Sequence, residues 1–376
     1  MATEGEDGKP VVQEEVEGLD GTESIGWGEY PLDSVFVRTE QRTVGEVVRR
    51  IRANRYDLNP DFQREFVWPV EKQSRLIESC LMRLPLPVFY VAEAQDGRII
   101  VVDGLQRLGT FRRFLDNDLK LSFPQSDAEK GNTNPLSGKR FRDLQLNLRE
   151  RVEDCQLTLY VLDAKAPERA KLDIFERVNS GEPLTRQQMR NCLYNGPATL
   201  WLRSAAESES FLEATGRSLD RKKMRDREAI NRFCAFRLLG WEAYPGSDMD
   251  GFLAETLERM NRFDKRQSEE LRAAFERSMR INFGLWGRHA FRKSLIGDPA
   301  GYRSVLNIAL FDVCSVLLAD ISDRSDVILA EMLRNRIRDL IQDGEFSYAI
   351  TYSTNSKSQV LIRFGMMQYL VKQVLS

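Results

Sequence analysis

The chain has 376 residues, enough for two hydrophobic cores, and its net charge of −2 hides a marked asymmetry. A single histidine excludes the H-E-x-x-H zinc enzymes, HNH nucleases and HD-type phosphohydrolases. Five scattered cysteines without a C-x-x-C pair argue against a zinc site or disulfide framework and fit a reducing cytoplasm, and no apolar run approaches the ~18 residues of a membrane helix.

Residues 1–30 hold nine acidic side chains against Lys9 alone, so the body carries 54 basic and 48 acidic residues. Rich in Gly and poor in apolar residues, this leader cannot offset its ordering entropy and is expected to be disordered. It reads either as a solubilising leader or as a nucleic-acid mimic that screens the basic body. "SVFVRT" (34–39) then has strand character, and "TVGEVVRRIRANR" (43–55) is helical, with a Val44, Val47, Val48, Ile51 stripe and Thr43 as N-cap. "LNPDFQREFVW" is an extended loop, and residues 70–84 form a second amphipathic helix that ends at "PLP". "VFYVAEA" and "RIIVV" read as strands joined by a "QDG" hairpin turn, with a helix starting directly after Asp103-Gly104. Residues 122–140 read as a surface loop and 155–164 as a further strand. From Pro167 onward the pattern is helical: 167–179, 185–194, 197–206, 226–239, 249–262, 267–283 and more. These elements predict an α+β fold: a mixed domain over 31–165 and a helical one over 166–376.

The stretch "VVDGLQRLGTF" carries the strongest local signal. A helix N-terminus offers unpaired N–H donors and a partial positive charge, both favourable to an anion. Gly104 allows close approach of a ligand, Gln106 and Arg107 sit in the first helical turn, and Arg107 brings a planar fork suited to phosphate. Asp103 fits beside phosphate if it holds a divalent cation or positions water; otherwise it is a helix cap with surface Gln and Arg following. Gln63-Arg64 repeats the pairing between Phe62, Phe66 and Trp68, as a phosphate ligand or as cation–π packing. In "FERVNSGEPL", Arg177 and Asn179 lie at a helix end, where they either reach a ligand or cap the helix.

Other signatures fail or stay weak. "GNTNPLSGKR" lacks the first Walker A glycine, having Thr133 there, and no G-x-G-x-x-G occurs. Asp163-x-Lys165 after a strand is half of a D-x-K nuclease site and is expected to be coincidental. Residues 217–237 carry eight basic and three acidic side chains, a solvated face or a stripe tracking a phosphate backbone. His289 stands alone beside aromatics, as a packed or surface residue unless it serves a Ser-His-Asp triad.

In combination, "QREFVW" (63–68), "DGLQR" (103–107) and "FERVNSG" (175–181), with "LPLPVFYV" between the first two, resemble the ParB/sulfiredoxin-like domain that forms the N-terminal, GmrS-type half of GmrSD modification-dependent restriction enzymes. A related domain occurs in SspE-type antiphage proteins, and the likeness continues through "KKMRDREAINRFCAF" and "FGLWGRHAFRK". The resemblance implies binding and hydrolysis of a nucleoside triphosphate with Mg²⁺, coupled to sensing foreign or modified DNA. It makes Asp103, Gln106 and Arg107 the hydrolytic centre, with Asp103 toward the metal, and has Gln63, Arg64, Gly104, Arg177 and Asn179 line the phosphates. Leu105 departs from the family, where glutamine is frequent. The chain has neither the length nor the histidines for the fused HNH domain, so a stand-alone regulatory half is expected, acting with DNA or a separate effector protein, in the cytoplasm, with assembly into a homo-oligomer left open. The alternatives are a ParB-fold metal-dependent nuclease or DNA-binding module, and a non-enzymatic interaction protein with a degenerate pocket.

Overall fold

The computed structural model describes residues 15–19, 37–58, 68–94, 96–123, 134–166, 171–174, 185–246, 248–321 and 327–375. The chain divides into two compact units: residues 27–184 with 191–193, and residues 1–26 with 185–190 and 194–376. The first is a mixed sheet with helices and the second is mainly helical, so the fold is α+β.

In the sheet-bearing unit the elements run β1 (Val37–Thr43), α1 (Val44–Arg52), β2 (Tyr56–Asp57), α2 (Val70–Leu81), β3 (Phe89–Glu93), β4 (Ile99–Asp103), α3 (Leu105–Leu115), α4 (Leu146–Glu153) and β5 (Gln156–Leu162). The sheet order is β1-β5-β3-β4-β2, with β1 antiparallel to β5, β3 parallel to β5, β3 antiparallel to β4 and β2 parallel to β4. Period-two alternation sends Leu157, Leu159 and Val161 of β5 into the core, while Thr158 and Tyr160 are only half-buried. Tyr160 meets Tyr90 of β3 at a ring separation of 5.4 Å.

Of the expected strand at 34–39 the described part begins at Val37, and it runs on to Thr43, where the chain turns at once into α1. Thr43 ends the strand and caps the helix, its hydroxyl accepting from the Glu46 N–H at 3.1 Å. Val44, Val47, Val48 and Ile51 are buried as the spacing predicts, each stabilising by about 1.5–3 kcal/mol. Along β1 an ion ladder links Arg38 to Glu40 at 2.9 Å, Glu40 to Arg42 at 2.5 Å and Arg42 to Glu46 at 2.8 Å. Helix α4 lacks a clear sequence signal because only Val152 is buried along it.

The second unit contains α5 (Arg186–Leu193, of which residues 186–190 belong here), α6 (Pro197–Ala206), α7 (Glu209–Thr215), α8 (Arg225–Leu238), α9 (Met249–Met260), α10 (Lys265–Trp286), α11 (Ile308–Leu317), α12 (Val327–Gln342), α13 (Gly344–Ala349) and α14 (Lys357–Leu375). Phe233 of α8 and Phe275 of α10 meet at 5.1 Å in its core. Asp312, in the middle of apolar α11, is fully buried between two guanidiniums: Arg232 grips it at 2.9 and 2.5 Å and Arg363 at 3.0 Å. Burial pulls Arg363 down to about 10, while Asp312 favours its charged form.

Residues 15–19 differ from the expectation of a wholly unfolded leader. Val16 is buried, the Glu17 N–H donates to Leu306 O at 2.9 Å, and the Ile308 N–H donates to Glu17 O at 3.0 Å. Lys293 Nζ pairs with the Glu17 carboxylate at 2.5 Å. One apolar side chain, two main-chain bonds and an ion pair hold this segment where composition alone reads a solvated tail.

The basic segment 217–237 divides in two. Arg217, Arg221, Lys222 and Lys223 are exposed, whereas on α8 Arg225 pairs with Glu228 and Arg232 is buried on Asp312. Asp226 is also buried, and desolvation pushes its carboxyl from the ordinary 3.8 up to about 6, against the hydrogen bond from the Arg227 N–H. A raised folded-state pKa favours folding below pH 3.8, and that advantage is lost as pH rises through 6. Asp226→Asn is therefore expected to raise stability at pH 7.5 by about 2–3 kcal/mol and to change it little at pH 3.5. Urea unfolding at the two pH values checks both the sign and the window.

Candidate functional site

The Asp103 turn is built by β4 running straight into α3. Gly104 is the N-cap residue, with φ +99°, so the backbone is left-handed there and supplies no capping side chain. The helical ladder begins with Leu108 N–H donating to Gly104 O at 2.9 Å, and the start of α3 has no side-chain cap. A Cβ on Gly104 would lie 2.3 Å from Phe89 Cδ1, so the glycine is required by the aromatic ring at the head of β3 as well as by the turn itself.

Arg107 points inward from the first turn of α3. Its Nη1 donates to Pro87 O at 2.5 Å, and its Nη2 donates to Val88 O at 3.0 Å and to Asp103 Oδ2 at 2.9 Å. The guanidinium lies 4.2 Å from the Phe89 ring centroid and is 9% exposed. Burial lowers its pKa, opposed by Asp103, and it stays charged because an arginine has a wide margin. The fork thus joins the D-G-L-Q-R turn to the L-P-L-P-V-F-Y-V run, 20 residues upstream at Pro87. The Asp103 side chain is 31% exposed, and its Oδ1 has no partner among the described residues.

Gln106, half-buried, brings a second motif segment to the same place. Its Oε1 accepts from the Trp68 N–H at 3.4 Å, so the end of Q-R-E-F-V-W meets the start of α3. Trp68 O in turn accepts from Gln73 Nε2 at 2.7 Å, and Gln73 Oε1 accepts from Arg113 at 2.9 Å. Gln73 is buried in the first turns of α2, and sequence reading missed it because an isolated glutamine in an amphipathic helix carries no spacing signal. Among the described residues Lys72 Nζ lies over the Trp68 ring, 4.3 Å from its centroid. Gln63, Arg64, Arg177 and Asn179 lie outside the described residues.

The remaining sequence candidates resolve differently. His289 is buried, with Nδ1 2.9 Å from Ser294 Oγ and Nε2 3.0 Å from Pro299 O. The carbonyl can only accept, so Nε2 carries the proton and the imidazole is a packing element. Asp163 accepts from the Lys165 N–H at 2.8 Å, forming a local turn. Among the described residues no group of three or more His, Cys, Asp or Glu could hold a metal, and no helix is long and apolar enough to cross a membrane.

The sheet-bearing unit is thus a five-stranded α+β unit in which a left-handed glycine opens an uncapped helix. Residues 44–195 match the family described as GmrSD restriction endonuclease, N-terminal domain, and over that span the chain carries a domain of this family. The match takes in all three motif segments and stops short of "KKMRDREAINRFCAF" and "FGLWGRHAFRK". No curated protein and no solved structure matches the chain.

Removing the Arg107 guanidinium orphans two carbonyls and a carboxylate at once. Arg107→Ala is expected to destabilise the sheet-bearing unit by about 2–4 kcal/mol, through lost charge-assisted hydrogen bonds. Chemical denaturation followed by tryptophan fluorescence measures this, and a stability equal to wild type would overturn the tethering role.

Proposed function

We propose that the chain binds a nucleoside triphosphate at the start of α3 and hydrolyses it, as the regulatory or sensor part of an antiphage or modification-dependent restriction system. It acts in this reading with foreign or modified DNA or with a separate effector protein. The observation that carries the proposal is the meeting of Trp68 and Gln106: two motif segments converge on a helix start that has no side-chain cap. Such a start presents N–H donors and the positive end of the helix dipole to an anion. The family over 44–195, restriction endonucleases by description, supports the biological setting.

Within this reading the roles divide by geometry. Arg107 is a positioning residue, since its donors are directed at Pro87, Val88 and Asp103. Phosphate contacts fall to Gln106, to the backbone at Gly104 and the first turn of α3, and to Gln63, Arg64, Arg177 and Asn179. Asp103 keeps Oδ1 for a cation or for an attacking water. A single carboxylate suits Mg²⁺, which takes one or two carboxylates together with substrate phosphates and water. When bound there, the ion supplies charge neutralisation on the phosphates. Leu105, in the place of a frequent glutamine, offers no amide, so orientation of water rests on Gln106 and Asp103.

Asp103→Asn separates binding from turnover. Phosphate release is expected to fall about a hundredfold or more, while a triphosphate still raises the melting temperature, since the N–H donors and remaining cations are intact. Thermal shift with and without Mg²⁺, phosphate release and DNA cleavage are measured in one buffer, with the melting curve without ligand reporting the fold. Wild-type turnover in the variant defeats the assignment. Metal-dependent DNA cutting by the wild type, lost in the variant and indifferent to nucleotide, replaces the hydrolase with a nuclease.

A further inference from the structure

Residues 16–19 are seated on a short backbone edge of the helical unit. Leu306 bridges Arg292 antiparallel, and the next residue, Asn307, bridges Glu17 in parallel. The edge is shaped without help from the leader. The Asn307 N–H donates to Phe291 O at 2.9 Å, its Nδ2 donates to Ile350 O at 2.8 Å, and Lys293 Nζ is held by Thr351 Oγ1 at 2.7 Å. Each seated residue meets a different demand. Val16 is buried in the helical core, and Leu19 packs against that core. Glu17 joins its N–H to Leu306 O and its C=O to the Ile308 N–H, and its carboxylate pairs with Lys293. Gly18 has φ +86°, and a Cβ there would lie 3.1 Å from Ile308 Cγ2 and 3.2 Å from Thr354 Oγ1. Both the backbone and the space therefore favour glycine.

We propose that this edge is a docking site for an extended protein segment of the pattern apolar–Glu–Gly–apolar. Residues 16–19 hold it in cis, and the same pattern on a partner protein takes it in trans. The main-chain bonds supply affinity, as when a strand adds to an open edge, while Lys293 and the crowding at Gly18 supply specificity.

The site outlasts its tenant, because the bonds that shape it are not those that hold the leader. Two main-chain bonds, one buried valine and an ion pair between side chains 30% and 29% exposed keep residues 16–19 in place. A tethered segment acts at an effective concentration on the order of millimolar, so a modest intrinsic affinity keeps it docked and a stronger partner displaces it. A second copy of the chain offers a segment already seated on its own body, and exchange between copies gains no bond. The occupant in trans is therefore a different protein whose segment is free. This inference stands on the helical unit alone and does not depend on nucleotide binding.

The test uses the full chain and a synthetic peptide of residues 13–22. On the wild type, excess peptide is expected to strip hydrogen-exchange protection from the chain's own Glu17 amide. The Ile308 amide stays protected, since the peptide carbonyl replaces that of Glu17. A Gly18→Val chain, whose own segment fits poorly, should bind the labelled peptide about tenfold or more tighter than wild type in fluorescence anisotropy. Lys293→Glu added to that chain should weaken binding about tenfold or more, and a Glu17→Lys peptide should recover it. No binding by the Gly18→Val chain, or binding indifferent to Lys293 and to Gly18→Val in the peptide, overturns the proposal. Dimerisation of the wild type with rising concentration, lost in the Gly18→Val chain, gives the edge to a second copy and overturns the choice of partner. Because the exchange readout is on the wild-type chain, a variant that fails to fold does not decide the outcome.

Discussion

Arg107 directs its donors at the chain itself, and the shape of the candidate site follows from that choice. By bonding Pro87 O, Val88 O and Asp103 Oδ2 together, the guanidinium fixes the entry of β3, the end of β4 and the first turn of α3 relative to one another. Phe89 fills the space beneath it, which is why position 104 has no room for a side chain. The guanidinium is itself buried, so its charge-assisted bonds cost more to break than a surface ion pair, and they hold the turn rigidly. Preorganised donors at a helix start need no rearrangement when an anion binds, and that is what makes such a site effective.

The helical unit relies on a comparable device with the opposite balance. Asp312 faces two guanidiniums in a place without exposure to water, with Thr354 O and the Asn355 side chain taking further donors from Arg363 and Arg232. Ion pairs in this setting add little stability over apolar packing, but loss of one partner costs about 3–5 kcal/mol. Through these three charges helices α8, α11 and α14 are joined to one another.

Much of the sheet-bearing unit was legible because its signals are local. The stripe Val44, Val47, Val48, Ile51 and the Thr43 cap need only a few residues of context, as does the strand ending at Asp103. The inward turn of Arg107 was not legible, since its partners are carbonyls in a separate segment and a carbonyl has no sequence identity. Gln73 and the Trp68–Gln106 contact escaped for the same reason. Helix α4 buries a single residue, so its period is faint, and the two-residue β2 is too short to show alternation. At Glu17 composition misled, because a charge-rich window averages away the one buried valine beside it.

The two margins of the sheet bear on how the protein behaves in a crowded solution. At one end β2 offers only Tyr56 and Asp57, too few for a foreign strand to gain a ladder. At the other, β1 is longer but carries the alternating charges of Arg38, Glu40 and Arg42, already neutralised against each other along the strand. An incoming peptide would have to set its own side chains beside this ladder and strip water from it, at a cost its main-chain bonds do not offset. Among the described residues both margins therefore disfavour edge-to-edge polymerisation of the sheet.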